Sequence, residues 1–174
     1  MSLLAVTVLG HDRPGIVAAT TAALAGLGGN LEDSTMTLLR GHFAMLLLVQ
    51  TDAAVREVEA ALAGLVADGL LSVDVRAVPD AEVEPQAADG APYVLSVHGA
   101  DRPGIVGTLT GVVAAAGGNI TDLSTRLSGE LYVLLAEVQL AASTDIAALT
   151  ARLREAAEGL GVDVSLRALE FDEL

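Results

Sequence analysis

Shifted by 89 residues, the chain matches itself without a gap. Gly10 falls on Gly99, and the run Asp12, Arg13, Pro14, Gly15, Ile16, Val17 falls on Asp101, Arg102, Pro103, Gly104, Ile105, Val106. Gly28, Gly29 and Asn30 fall on Gly117, Gly118 and Asn119. Asp33 meets Asp122, and Val49–Gln50 meets Val138–Gln139. A repeat of this length points to a duplicated domain, and two units are too few for a solenoid. The first domain is read as residues 1–78, a linker as 79–91 and the second domain as 92–174. The stretch from Pro79 to Pro92 holds Asp80, Glu82, Glu84 and Asp89 with Gly90 and three prolines, which disfavours both helix and core.

Periodicity gives the elements of one unit. Leu4, Val6 and Val8 alternate with Ala5, Thr7 and Leu9, so residues 3–9 predict a strand. Pro14 marks a helix start, because its fixed φ suits the first helical position. Ile16, Thr20, Ala23, Leu24 and Leu27 share one helical face, and Gly28–Gly29 stops the helix. Leu31 to Leu39 is a second strand, Arg40–Gly41 a turn and Phe43 to Gln50 a third strand. Asp52 can cap a second helix, with Val55, Val58, Leu62 and Leu65 on its buried stripe. Leu71, Val73, Val75 and Ala77 close the unit as a strand. The second copy repeats the pattern at 93–98, 103–116, 120–127, 131–140, 145–160 and 162–169. The order β-α-β-β-α-β predicts an α+β fold, with two ferredoxin-like units in tandem. Each should be a four-stranded antiparallel sheet with its helices on one face. Phe43 to Val49 is apolar without a break, so the helix-free face should also seek a cover: the sister domain, a second chain or both.

Composition narrows the function. The chain has no Cys, which excludes disulfides, thiolate catalysis and Cys-based metal sites. Net charge is −14, with no Lys and nine scattered Arg, so direct nucleic-acid binding is not expected. The apolar start at residues 1–10 lacks the basic region of a signal peptide, and the longest apolar runs are too short for a bilayer. A cytoplasmic protein without membrane attachment is expected. His11, His42 and His98 lack metal-ligand spacing and read as structural or exposed. No nucleophile elbow, P-loop or full dinucleotide fingerprint is present. No catalytic residue, metal or cofactor is assigned.

The repeated element from Gly10 to Val17 lies between a strand and a helix. A helix N-terminus offers free N–H groups and partial positive charge. Gly15 and Gly104 leave that backbone bare to a ligand. Asp12 and Asp101 can accept from an ammonium or cap the loop, and Arg13 and Arg102 can hold an anion or stay solvated. Asn30 and Asn119 supply an amide that donates and accepts. Such groups suit an α-amino acid, which carries a carboxylate beside an ammonium. The same residues also serve as plain helix-start and helix-stop signals.

These residues carry a resemblance. Asp-Arg-Pro-Gly-Ile-Val followed by Gly-Gly-Asn-Leu/Ile, in this frame, resembles the ACT domain, a small regulatory module that typically binds amino acids. Two such modules in one short chain resemble the glycine cleavage system transcriptional repressor family. Similar modules precede the catalytic parts of formyltetrahydrofolate deformylase and some phosphoserine phosphatases; neither catalytic part is expected here. By this resemblance a ligand sits between the first loop of one module and the Asn of a neighbouring one. The implied contacts are Asp12, Gly15, Ile16 and Asn30, and Asp101, Gly104, Ile105 and Asn119. His11 is replaced by Ala100 beside the motif, so the two sites need not be alike. The implied partners are a small amino acid, a regulatory protein and further copies of the chain, as homodimer or higher oligomer. The leading expectation is an amino-acid-binding regulator of transcription or metabolism that acts through protein partners. The alternative is a ligand-free interaction or dimerisation module.

Overall fold

The computed structural model describes residues 1–79 and 90–169. The chain divides into two compact units, Met1–Pro85 and Gln86–Leu174. In the first unit, β1 (Ser2–His11), α1 (Ile16–Gly26), β2 (Asn30–Leu39), β3 (His42–Thr51), α2 (Val55–Val66) and β4 (Leu71–Ala77) follow in turn. In the second, the same order runs β5 (Gly90–Ala100), α3 (Ile105–Ala115), β6 (Asn119–Ser128), β7 (Leu131–Ala141), α4 (Ile146–Leu160) and β8 (Val162–Ala168). Each unit is a four-stranded antiparallel sheet, ordered β2-β3-β1-β4 and β6-β7-β5-β8. Most of the segment read as a linker, residues 80–89, lies outside the described residues, as do 170–174. Gly90 and Ala91, assigned to that linker, already pair with β7.

Side-chain alternation decides which face is core. Leu4, Val6 and Val8 of β1 are buried, as are Phe43, Met45, Leu47 and Val49 of β3, directly opposite or adjacent in register. The helices cover this face with Ile16, Thr20 and Leu24 of α1 and Val58, Leu62 and Leu65 of α2. Each fully buried Val, Leu or Ile contributes about 1.5–3 kcal/mol relative to exposure. Thr20 is a polar member of this stripe, and its hydroxyl donates to the Ile16 carbonyl at 2.8 Å. Its counterpart, Leu109, needs no such partner. The second core repeats the plan with Leu95, Val97, Ile105, Leu109, Val113, Leu134, Val138, Leu149 and Leu153.

Three local expectations are corrected. Pro14 is not the first helical residue: α1 opens at Ile16, after Gly15 takes a left-handed φ of 93°. Gly104 does the same before α3. Asp52 does not cap α2. Its N-cap is Ala54, whose N–H donates to the Glu57 carboxylate at 2.7 Å, so the cap comes from inside the first turn. The offset of 89 holds through β2 and β6, but Leu71 faces Gly10 while Val162 faces Gly99, an offset of 91. The two extra residues sit between β7 and α4, because Ala54 and Asp145, which precede α2 and α4, are already offset by 91.

The helix-free face of the first sheet carries exposed Leu9 and Leu46, as its apolar strands anticipate. Every residue of β2 is exposed, as befits an edge strand beyond the reach of the helices. Among the described residues no helix is long and apolar enough to cross a membrane.

Candidate functional site

The Asp12–Ile16 loop joins the end of β1 to α1. The Asp12 N–H donates to the Gly41 carbonyl at 3.0 Å, tying the loop to the turn between β2 and β3. No side chain caps α1, and its first turn holds no acidic residue. The Ala19 N–H reaches back to the Gly15 carbonyl at 2.9 Å, and in the second unit Thr108 does the same to Gly104. The N–H groups of the opening turn precede any such partner, and so point out of the helix. A Cβ on Gly15 would meet nothing within 4 Å. The helix end is therefore open to an anion, with the partial positive charge not offset by its own sequence.

The other candidates divide. The Asp12 and Asp101 side chains are exposed beside the loops. Ile16 and Ile105 are core residues, only 3% and 1% exposed, so they can offer a ligand only main chain. Arg13 is partly exposed and already has partners. Its guanidinium bonds Asp68 and donates to the Leu65 carbonyl, in the last turn of α2. A cation there satisfies a terminal carbonyl and faces the negative helix end. Arg102 lies over Gly161, the residue that ends α4; a Cβ on Gly161 would stand 3.4 Å from the guanidinium carbon. Arg13 thus fastens its loop to the end of α2, and Arg102 lies beside the end of α4.

Asn30 and Asn119 open β2 and β6, and both are exposed. They do not lie near the loop of their own unit. Asn30 is in register with Gln50 and so with Leu3, whereas the loop leaves β1 at His11. Eight strand residues separate those ends, about 26 Å at roughly 3.3 Å each. The helix connection forces this, because α1 runs back along the sheet before β2 starts. Within one unit, the loop and the Asn are therefore too far apart to touch one small ligand together. Both strands also carry a bulge just past the Asn, at Leu31/Asp33 and Ile120/Asp122. Bulges re-aim neighbouring side chains.

Sequence reasoning missed Tyr132. It stands opposite Gly99 at the start of β7, half-buried, where the first unit has the buried Phe43. Burial lifts its phenol above the ordinary value of 10.0, and the Asp101 charge adds to that lift; a hydrogen bond with Thr125 opposes it. The second loop therefore has a hydroxyl in its electrostatic neighbourhood, and Phe43 denies one to the first. The signal was the pairing of Phe43 with Tyr132 in the self-match. A phenol whose pKa rises on folding holds its proton more tightly in the native state. Its contribution is present below the ordinary value and is lost as pH climbs through the raised one. Tyr132→Phe should therefore flatten the alkaline loss of Tm above about pH 10. A variant that falls as steeply as wild type would refute this.

The model of the ACT domain matches residues 2–76 and 92–167, one copy per unit. The chain belongs to the ACT-domain family. Over part of its length it is similar to UPF0237 proteins. One from Methanocaldococcus jannaschii is 39% identical over 72 residues, which are 41% of this chain and 80% of that protein. One from Methanopyrus kandleri is 51% identical over 49 residues, 28% of this chain and 54% of that protein. The chain spans about half the length of several curated relatives it matches. Among solved structures, an unknown protein from Galdieria sulphuraria is 30% identical with a TM-score of 0.82, covering 97% of this chain and 99% of that one. A protein provisionally described as a glycine cleavage system transcriptional repressor is 20% identical with a TM-score of 0.74, covering 98% of each chain. That second likeness speaks to fold.

Proposed function

We propose that this tandem ACT protein is an amino-acid-responsive regulator that acts in the cytoplasm through a protein partner. It is not read as an enzyme or as a protein that grips DNA itself. One observation carries the reading: both units present an uncapped helix N-terminus behind a bare left-handed glycine, with an exposed Asp beside it. The N–H groups suit a carboxylate and the Asp suits an ammonium, the two charges of an α-amino acid. The proposed contacts are the carboxylates of Asp12 and Asp101, the main chain at Gly15–Ile16 and Gly104–Ile105, and the amides of Asn30 and Asn119. A ligand that touches both a loop and an Asn must draw them from different modules. Binding would then favour one arrangement of modules, and a partner that prefers that arrangement would read the ligand.

A thermal-shift screen with the common amino acids tests this. A ligand at a hundred times its Kd adds about 2.7 kcal/mol and raises Tm. No shift with any of them would remove the reading. The second reading, a ligand-free association module, draws on the exposed Leu9 and Leu46 of the first sheet. It is favoured if molar mass rises with protein concentration while no amino acid moves Tm.

Charge sets a further expectation. With net charge −14 and no Lys, the purified protein should not shift duplex DNA sequence-specifically at physiological salt. Nanomolar operator binding by the protein alone, in a mobility-shift assay, would overturn partner-mediated action.

A further inference from the structure

We infer that His11 and His42 form a two-imidazole site for a divalent transition-metal ion such as Zn²⁺. Thirty-one residues separate them in the chain, so no ligand spacing shows in the sequence. The fold removes that separation. They face each other directly in the β1–β3 register, and directly paired residues of antiparallel strands project to the same side. Their ring centroids stand 5.3 Å apart with the planes at 39°. Two imidazoles on one tetrahedral Zn²⁺, with Zn–N near 2.0–2.1 Å, place their ring centroids about 5 Å apart. The observed spacing matches this separation.

The surroundings are compatible with an ion. Both histidines are exposed, so ion and water have access. On the same face, Leu9 and Ala44 flank the pair along the strands and Leu39 pairs with His42 from β2. These neighbours bring no competing cation. Among the described residues no third His, Cys, Asp or Glu joins them in a three-ligand cluster. Water or an exogenous donor must then fill the remaining positions, which implies a weak, exchangeable site of the open kind. The second unit has Ala100 and Leu131 at the corresponding places and cannot form it. The inference stands apart from the amino-acid reading, since it uses neither helix end nor Asn.

The test titrates the full chain with Zn²⁺ by calorimetry, for wild type and for His11→Ala, His42→Ala and the double variant. Circular dichroism checks that each is folded; both side chains are exposed, so all should be. His98→Ala serves as control, because His98 lies in the other unit beside Asp163. One Zn²⁺ should bind wild type and His98→Ala alike. Each single variant should lose at least tenfold in affinity and resemble the double. Cu²⁺ bound to wild type should show two nitrogen couplings in its paramagnetic resonance spectrum, and one or none in the single variants. Saturating Zn²⁺ should raise the Tm of wild type only, since it ties β1 to β3. Absence of binding, a single variant that binds like wild type, or one nitrogen coupling in wild type would each overturn the site.

Discussion

Gly10→Ala is expected to cost the first unit about 3 kcal/mol, the upper range for overpacking. The reason is a close approach of two backbones. A Cβ at Gly10 would stand 2.1 Å from the Leu70 carbonyl oxygen and 2.9 Å from the Leu71 Cα, where β4 begins. Main chain cannot swing aside as a flexible side chain can, so β1 and β4 must part. The φ of 154° at Gly10 adds strain for any L side chain. Gly99 meets the side chain and Cα of Val162 at 2.9–3.1 Å, so Gly99→Ala should cost less. Gly15→Ala isolates strain without a clash, because its Cβ would meet open space at a φ of 93°. Urea unfolding measures the series. Both tyrosines, Tyr93 and Tyr132, lie in the second unit. Tyrosine fluorescence therefore reports that unit, while circular dichroism reports both. Gly10→Ala should move the circular-dichroism transition more than the fluorescence one. Coincidence of its circular-dichroism curve with wild type would rule out the close packing described.

The second large effect concerns ligand affinity. With a bound amino acid identified, Asn30→Ala and Asn119→Ala are expected to weaken it by about ten- to a hundredfold, or roughly 1.5–3 kcal/mol for a hydrogen bond to a charged group. Both Asn are exposed strand-opening residues, so removing the amide leaves the backbone in place. Calorimetry alongside Tm separates lost binding from lost folding. The pattern also locates the ligand. An amino acid cannot span the length of β1, so a ligand weakened both by an Asn variant and by Gly15→Ala or Gly104→Ala must be held by two modules. If both Asn variants, singly and together, stay folded and bind like wild type, these amides are turn formers and the site lies elsewhere.

The fold was legible because its signals are local and doubled. Alternation in Leu4–Val8, the stripe Ile16–Thr20–Leu24 and the Gly-Gly stop each act over a few residues, and the self-match tested each reading twice. Helix starts were less legible. Pro14 and Asp52 are both sound start signals, yet Gly15 and Ala54 open the helices, since loop closure against Gly41 and the reach of Glu57 set the boundary. The candidate loops were found from their residue types, but the partners of Arg13 were not. Arg13 looked free until the fold brought Asp68 and the end of α2 beneath it.

The sequence by itself determined the duplication, the order of elements, the two cores and the glycine-opened loops, all of which rest on chain neighbours and periodicity. Only the tertiary structure decided which distant residues meet. Strand pairing put His11 against His42 and Tyr132 against Gly99. The return of α1 along the sheet sent Asn30 to the far end from its loop. Residue types determine what a side chain can do, but register and crossover direction determine what it can reach. Neither is written in any short stretch of the chain.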